Sequence, residues 1–261
     1  MFRKIFLLIT TTFFLSLPLG ALAQTGNEET TSTEVEENLQ QYKQAKNNEV
    51  RVQLLKTYGV KAIELRVKGM EKLQTTINAS SIEEGIKSIL TTDLQNNISS
   101  IKALKSKIES ETDLATLKND VHAIFVDYRI FMVVLPRDHG RLAAARLNGL
   151  VNKASSLEAK LDKLVSKLKE KNVDTTQIEE LVADFKSQIQ VAQGKIAEAD
   201  AKLILMGPED TETAKIYLNE AKNLLSEAKV SLQKAQEDLK QIKAAIKDLK
   251  ESSPSATKSQ E

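Results

Sequence analysis

The residues with chemistry to offer crowd around one proline. Pro136-Arg137-Asp138-His139-Gly140-Arg141 brings two guanidinium groups, a carboxylate and one of the chain's two histidines within six positions, with Asp127 and Arg129 just upstream. If a new helix starts here, Arg137 and Arg141 beside its N-terminus would form an anion-binding corner. The plainer reading has Asp138 capping that helix and its neighbours solvated. Neither Asp127 nor Arg129 has an opposite charge three or four residues away, so each is expected to meet solvent or a partner on another helix. If they are buried, an interhelical ion pair is the expected arrangement.

Other chemistry is excluded by residue type. The chain has no Cys, which removes disulfides, thiolate nucleophiles and Cys-ligated metals together. His122 and His139 lack zinc-site spacing, so no metal and no cofactor is expected. Acidic pairs such as Glu83-Glu84 and Glu179-Glu180 fall at helix starts, where the helix dipole accounts for them. Glycine-rich phosphate loops and a G-x-S-x-G nucleophile elbow are lacking, no catalytic residue is assigned, and the chain is not expected to be an enzyme.

The elements that must position these residues are helical. Leu, Ala, Lys, Glu and Ile dominate, aromatics are 4%, and Gly and Pro are few, which favours helices over sheet. The expected fold is all-α, an elongated antiparallel helical bundle with coiled-coil-like heptad packing. Residues 1–23 carry a basic start, an apolar core and Ala21-Leu22-Ala23, the pattern of a secretory signal peptide cleaved before Gln24. A retained membrane anchor is the competing reading. Residues 24–33 read as a disordered leader, 34–110 as a helical hairpin, 111–250 as a C-terminal bundle and 251–261 as a disordered tail.

Within the hairpin, two apolar rows run to Ile77, and Ser81 with Glu84 suggests a capping box opening a second helix that buries Ile82, Ile86, Ile89 and Leu94. Asn78-Ala79-Ser80 and Asn97-Ile98-Ser99 match the glycosylation sequon but read as turn and surface chemistry. From Arg141 to Lys250, three heptad segments joined by short loops predict antiparallel neighbours. Thr176 with Glu179 caps the second, Gly207-Pro208 ends it, and Leu alternates with Ala along the third.

The centre of the fold is expected at Val121 to Pro136, where large apolar residues surround a predicted helix spanning 114–135. Leu117, Val121, Ile124, Tyr128, Phe131 and Leu135 share one face, and Ala123, Val126, Ile130, Val133 and Val134 the other. The helix should lie between two layers and kink at Pro136, which lacks an N–H. Phe131→Ala should then cost about 3–5 kcal/mol.

Asp127-Tyr128-Arg129 followed by Val133-Val134-Leu135-Pro136 resembles a segment of uncharacterised exported helical proteins of bacteria. The resemblance extends from about Leu114 to the last helix. It implies a helical architecture and no activity.

Without its first 23 residues the chain holds 35 basic and 36 acidic residues. Nucleic acid is therefore not an expected partner. The expectation is a non-enzymatic exported helical-bundle protein acting as a structural or protein-interaction module of the cell envelope, with a protein partner or self-association. The alternatives are a helical protein binding an apolar or anionic molecule near the Pro136 kink, and a bundle lying on a membrane surface. Mixed Lys and Glu on the polar faces argue against the last.

Overall fold

The computed structural model describes residues 29–252, and every described regular element is helical. The expected signal peptide, residues 24–28 of the expected leader and residues 253–261 of the expected tail lie outside the described residues. Among the described residues seven α-helices follow in order: α1 (Glu29–Gln44), α2 (Asn48–Asn78), α3 (Glu84–Ser110), α4 (Leu114–Val126), α5 (Leu135–Lys169), α6 (Thr176–Ile204) and α7 (Thr211–Ser252). A π-helical segment, Ile130–Val134, leads into α5. The first helix starts within the stretch read as a disordered leader. No described helix is long and apolar enough to cross a membrane.

Local side-chain chemistry sets several of the helix ends. Asn47 separates α1 from α2, its Oδ1 accepting from the Glu49 and Val50 amides at 2.7 and 3.3 Å, so the apolar rows run through two helices. Asp113 caps α4 by accepting from Thr116 N–H at 2.7 Å. The Ser81–Glu84 box does not form: Glu83 precedes α3 and makes no side-chain cap. At α6 the capping shifts toward the N-terminus. Asp174 accepts from Thr176 N–H at 3.0 Å, while the Thr175 hydroxyl donates to Glu179.

The helices divide into two compact units. One comprises residues 29–146 with 199–222. Its core is drawn from α2, α3, α4, the π segment and the start of α5, with Ile63, Met70, Ile77, Leu90, Leu94, Ile101, Leu117 and Ile124 among the buried side chains. Residues 111–146 therefore pack with the N-terminal helices, because α4 lies against both α2 and α3. On α3 the expected core residue Ile89 is exposed, and Leu90 is buried. The last turns of α6 and the first of α7 join this unit, where Lys202 pairs with Glu220 at 2.7 Å.

The other unit comprises residues 147–198 with 223–252. Three helical stretches meet along predicted rows: Leu161, Leu164 and Leu168 of α5, Val182, Phe185 and Ile189 of α6, and Leu225, Ala228, Leu232 and Ala235 of α7 are all buried. Their ion pairs report the register. Lys169 meets Glu179 and Asp162 meets Lys186, both at 2.7 Å, so a step back along α5 is an equal step forward along α6. That relation is the signature of antiparallel neighbours. Lys195 and Glu227, 2.8 Å apart, tie α6 to α7.

Candidate functional site

The helix predicted over 114–135 is broken in the middle. It leaves α-helical geometry after Val126, and Arg129 adopts the left-handed conformation with φ 41° and ψ 38°. That conformation is uncommon for a residue with a Cβ and common where a helix ends. Arg129 also donates from Nε to the Val126 carbonyl at 2.7 Å, satisfying one of the acceptors that α4 leaves open. The break thus lies at 127–129, ahead of Pro136. Pro136 sits in the first turn of α5, where a missing N–H is tolerated. The preceding π turn, closed by Leu135 N–H donating to the Ile130 carbonyl, carries the chain into that turn.

The structure separates the five candidate residues. Asp127 is exposed, so it meets solvent, one of the two outcomes expected for it, and neither Asp127 nor Arg129 forms an ion pair among the described residues. Arg129 spends its Nε on its own segment, and its charge also helps hold the Asp210 carboxyl below the usual range, after the hydrogen bonds that carboxylate receives from Thr213 and Glu212. Arg137 is not a free anion donor: it reaches Asp93 on α3 through Nη2 and Asp138 through Nε at 2.8 Å. Arg141 donates to Asp200 at 3.2 Å. His139 is half-buried, and burial, Arg146 and Lys72 together lower its pKa from the ordinary value.

Asp138 does not cap a helix either. It is fully enclosed, with Oδ1 on Arg137 and Oδ2 lacking a hydrogen-bond partner. Burial pushes its carboxyl up to about 6, against the pull of Arg137. The predicted anion corner is instead a closed ion cluster joining α5 to α3.

The open chemistry lies across the break, around Arg66 of α2. Arg66 is only 8% exposed and forms no ion pair among the described residues. Its positions i±3 and i±4 are Ala62, Ile63, Gly69 and Met70, so its own helix supplies no carboxylate. Nη1 donates to the Ala62 carbonyl at 2.7 Å, while Nε is buried without a hydrogen-bond acceptor. The guanidinium carbon lies 4.6 Å from the Phe125 ring centroid and 4.9 Å from that of Phe131. Tyr58 stacks on Phe125 at 5.9 Å. Burial lowers the Arg66 pKa to about 10, which leaves it charged at neutral pH.

The break itself makes this arrangement. On a straight helix, residues 125 and 131 would point about 120° apart and lie about 9 Å apart along the axis. The left-handed turn at Arg129 and the π segment bring both rings to one guanidinium. Gly69 permits the approach, since a Cβ there would lie 3.1 Å from Leu135 Cδ1 and 3.5 Å from Phe131 Cε1.

Phe125 and Phe131 remain 37% and 39% exposed, and Met132, next to Phe131 in sequence, 50%. The expectation that Phe131 is core is therefore corrected: the break turns its ring outward over Arg66. Phe131→Ala should cost about 1–2 kcal/mol in urea unfolding, from lost partial burial and one cation–π contact. A loss of 4 kcal/mol would mean that the ring is buried.

Arg66 was legible in the sequence only as a charge among apolar neighbours, a pattern that α2's two apolar rows obscured. A buried cation without an anion costs several kcal/mol, and each aromatic face returns about 0.5–2 kcal/mol, so the site is under-neutralised. No group of three or more potential metal ligands occurs among the described residues. No family model, curated protein or solved structure matches this chain.

Proposed function

We propose that this chain is a non-enzymatic helical interaction module, exported and acting at the cell envelope, whose contact surface is the break between α4 and α5. One observation carries the reading: Phe125 and Phe131 stand partly exposed over a cation that no described carboxylate neutralises, and Met132, next to Phe131 in sequence, is exposed as well. Exposed apolar side chains are ordinary singly, whereas aromatics gathered about an arginine are the composition of binding hot spots. Export rests on the N-terminal sequence pattern. The small-ligand alternative loses the donors first assigned to it, because Arg137 and Arg141 are committed to carboxylates.

The test places the photo-crosslinking residue p-benzoylphenylalanine at Met132 and, as a control, at exposed Lys234, in cells that make the protein. Irradiation should yield one adduct of defined mass from position 132 and none of that mass from 234. Identical products from both positions, or none from 132, would remove the reading.

A further inference from the structure

Arg66 is the charged, directional element of this surface. A patch built from Phe125 and Phe131 alone would accept any apolar segment of suitable shape. Beneath it lies a planar donor whose Nε has no acceptor and whose charge no described carboxylate balances. Both covering rings are more than a third exposed, so moving one opens the guanidinium without disturbing the core. A carboxylate arriving there gains a charge-assisted hydrogen bond in a poorly hydrated place, and its apolar neighbours cover the rings.

Resting on the interaction-module reading above, we infer that the partner is a protein segment in which one acidic side chain sits among aromatic or aliphatic ones, with its carboxylate on Arg66. Charge complementarity favours this occupant over a wholly apolar one. Anionic lipid is disfavoured, because the helix faces mix Lys with Glu and show no basic stripe.

The full chain, labelled with nitrogen-15, is titrated with the capped peptide Gly-Ser-Leu-Phe-Glu-Phe-Leu-Ser-Gly and with its counterpart carrying Gln for Glu. Saturable shifts are expected at the amides of Arg66, Phe125, Phe131 and Met132 and at the Arg66 side-chain Nε–H. The Glu peptide should bind at least fivefold more tightly. Arg66→Gln should erase that preference, Arg66→Lys should keep part of it, and Phe131→Ala should weaken both peptides alike.

Equal binding of the two peptides to the unaltered chain overturns the acidic partner while leaving the surface standing. A Glu preference that survives in a folded Arg66→Gln chain overturns it as well. Failure of both peptides to bind overturns both readings. Arg66-dependent sedimentation with phosphatidylglycerol vesicles, in the absence of peptide binding, would replace the protein partner with a lipid surface.

Discussion

Arg137→Met should destabilise the protein by about 3–5 kcal/mol at pH 8, because it strips the fully enclosed Asp138 carboxylate of its only counter-charge at hydrogen-bond distance. Asp93, the second carboxylate on Arg137, is partly exposed, and its loss of a partner costs much less. Urea unfolding followed by circular dichroism measures the difference. The loss should shrink toward pH 5, where Asp138 takes up a proton and no longer needs the guanidinium. A loss below about 1 kcal/mol at pH 8, or one independent of pH, would mean that the cluster is not the closed ion pair described here.

The sign of the parent protein's own pH dependence follows from the same group. Asp138 titrates near 6 when folded against an ordinary value of 3.8, so between those limits the folded state holds more protons than the unfolded one. Its contribution to stability is therefore greatest below about pH 4, falls as pH rises to 6, and is lowest above that, by up to about 3 kcal/mol. His139 works the other way. Its folded pKa lies below 6.5, so the unfolded state binds protons more readily there and stability rises with pH through that range. Comparing the parent with Asp138→Asn separates the two, since only the falling component should disappear.

Phe185→Ala should cost about 3–5 kcal/mol. The ring is fully enclosed on α6 within the heptad row that also holds Val182 and Ile189, and its removal leaves a cavity that three closely packed helices cannot fill by local collapse. Val191→Ala on the same helix, at an exposed position, should change stability by about 0.5 kcal/mol or less. Parallel urea titrations give the comparison. Equal effects from the two substitutions would mean that α6 does not present the Phe185 face to its neighbours.

The two sites differ in how far their sequences disclosed them. Around Phe185, Ile178, Val182, Ile189 and Ala192 recur three or four positions apart, and that row is buried in the structure. Around Phe131 the same periodicity ran from Leu117 to Leu135 without interruption, yet the helix breaks at 127–129. Periodicity records which side chains would share a face if the helix continued; it does not record whether neighbouring helices offer better use of the chain when it stops. Here stopping lets Arg129 close α4, frees Phe125 and Phe131 to cover Arg66, and leaves Pro136 harmless in a first turn.

The charged corner followed the same logic. Residue types and spacing located Arg137, Asp138, His139 and Arg141 together, but their partners, Asp93 and Asp200, lie 44 and 59 positions away in sequence. An N-cap and a buried ion pair ask for the same amino acids, so only the packing of α5 against α3 could tell them apart.

By itself, then, the sequence determined the all-α class and the heptad rows of α5, α6 and α7, because each depends on side chains within about one helical turn of one another. Tertiary structure alone decided that the central helix breaks, that Phe131 faces outward, that the Arg137 corner is closed, and that Arg66 is the open cation. Those outcomes depend on charges and ring faces brought together from separate helices, and the desolvation cost of a charge is set only once its surroundings are assembled.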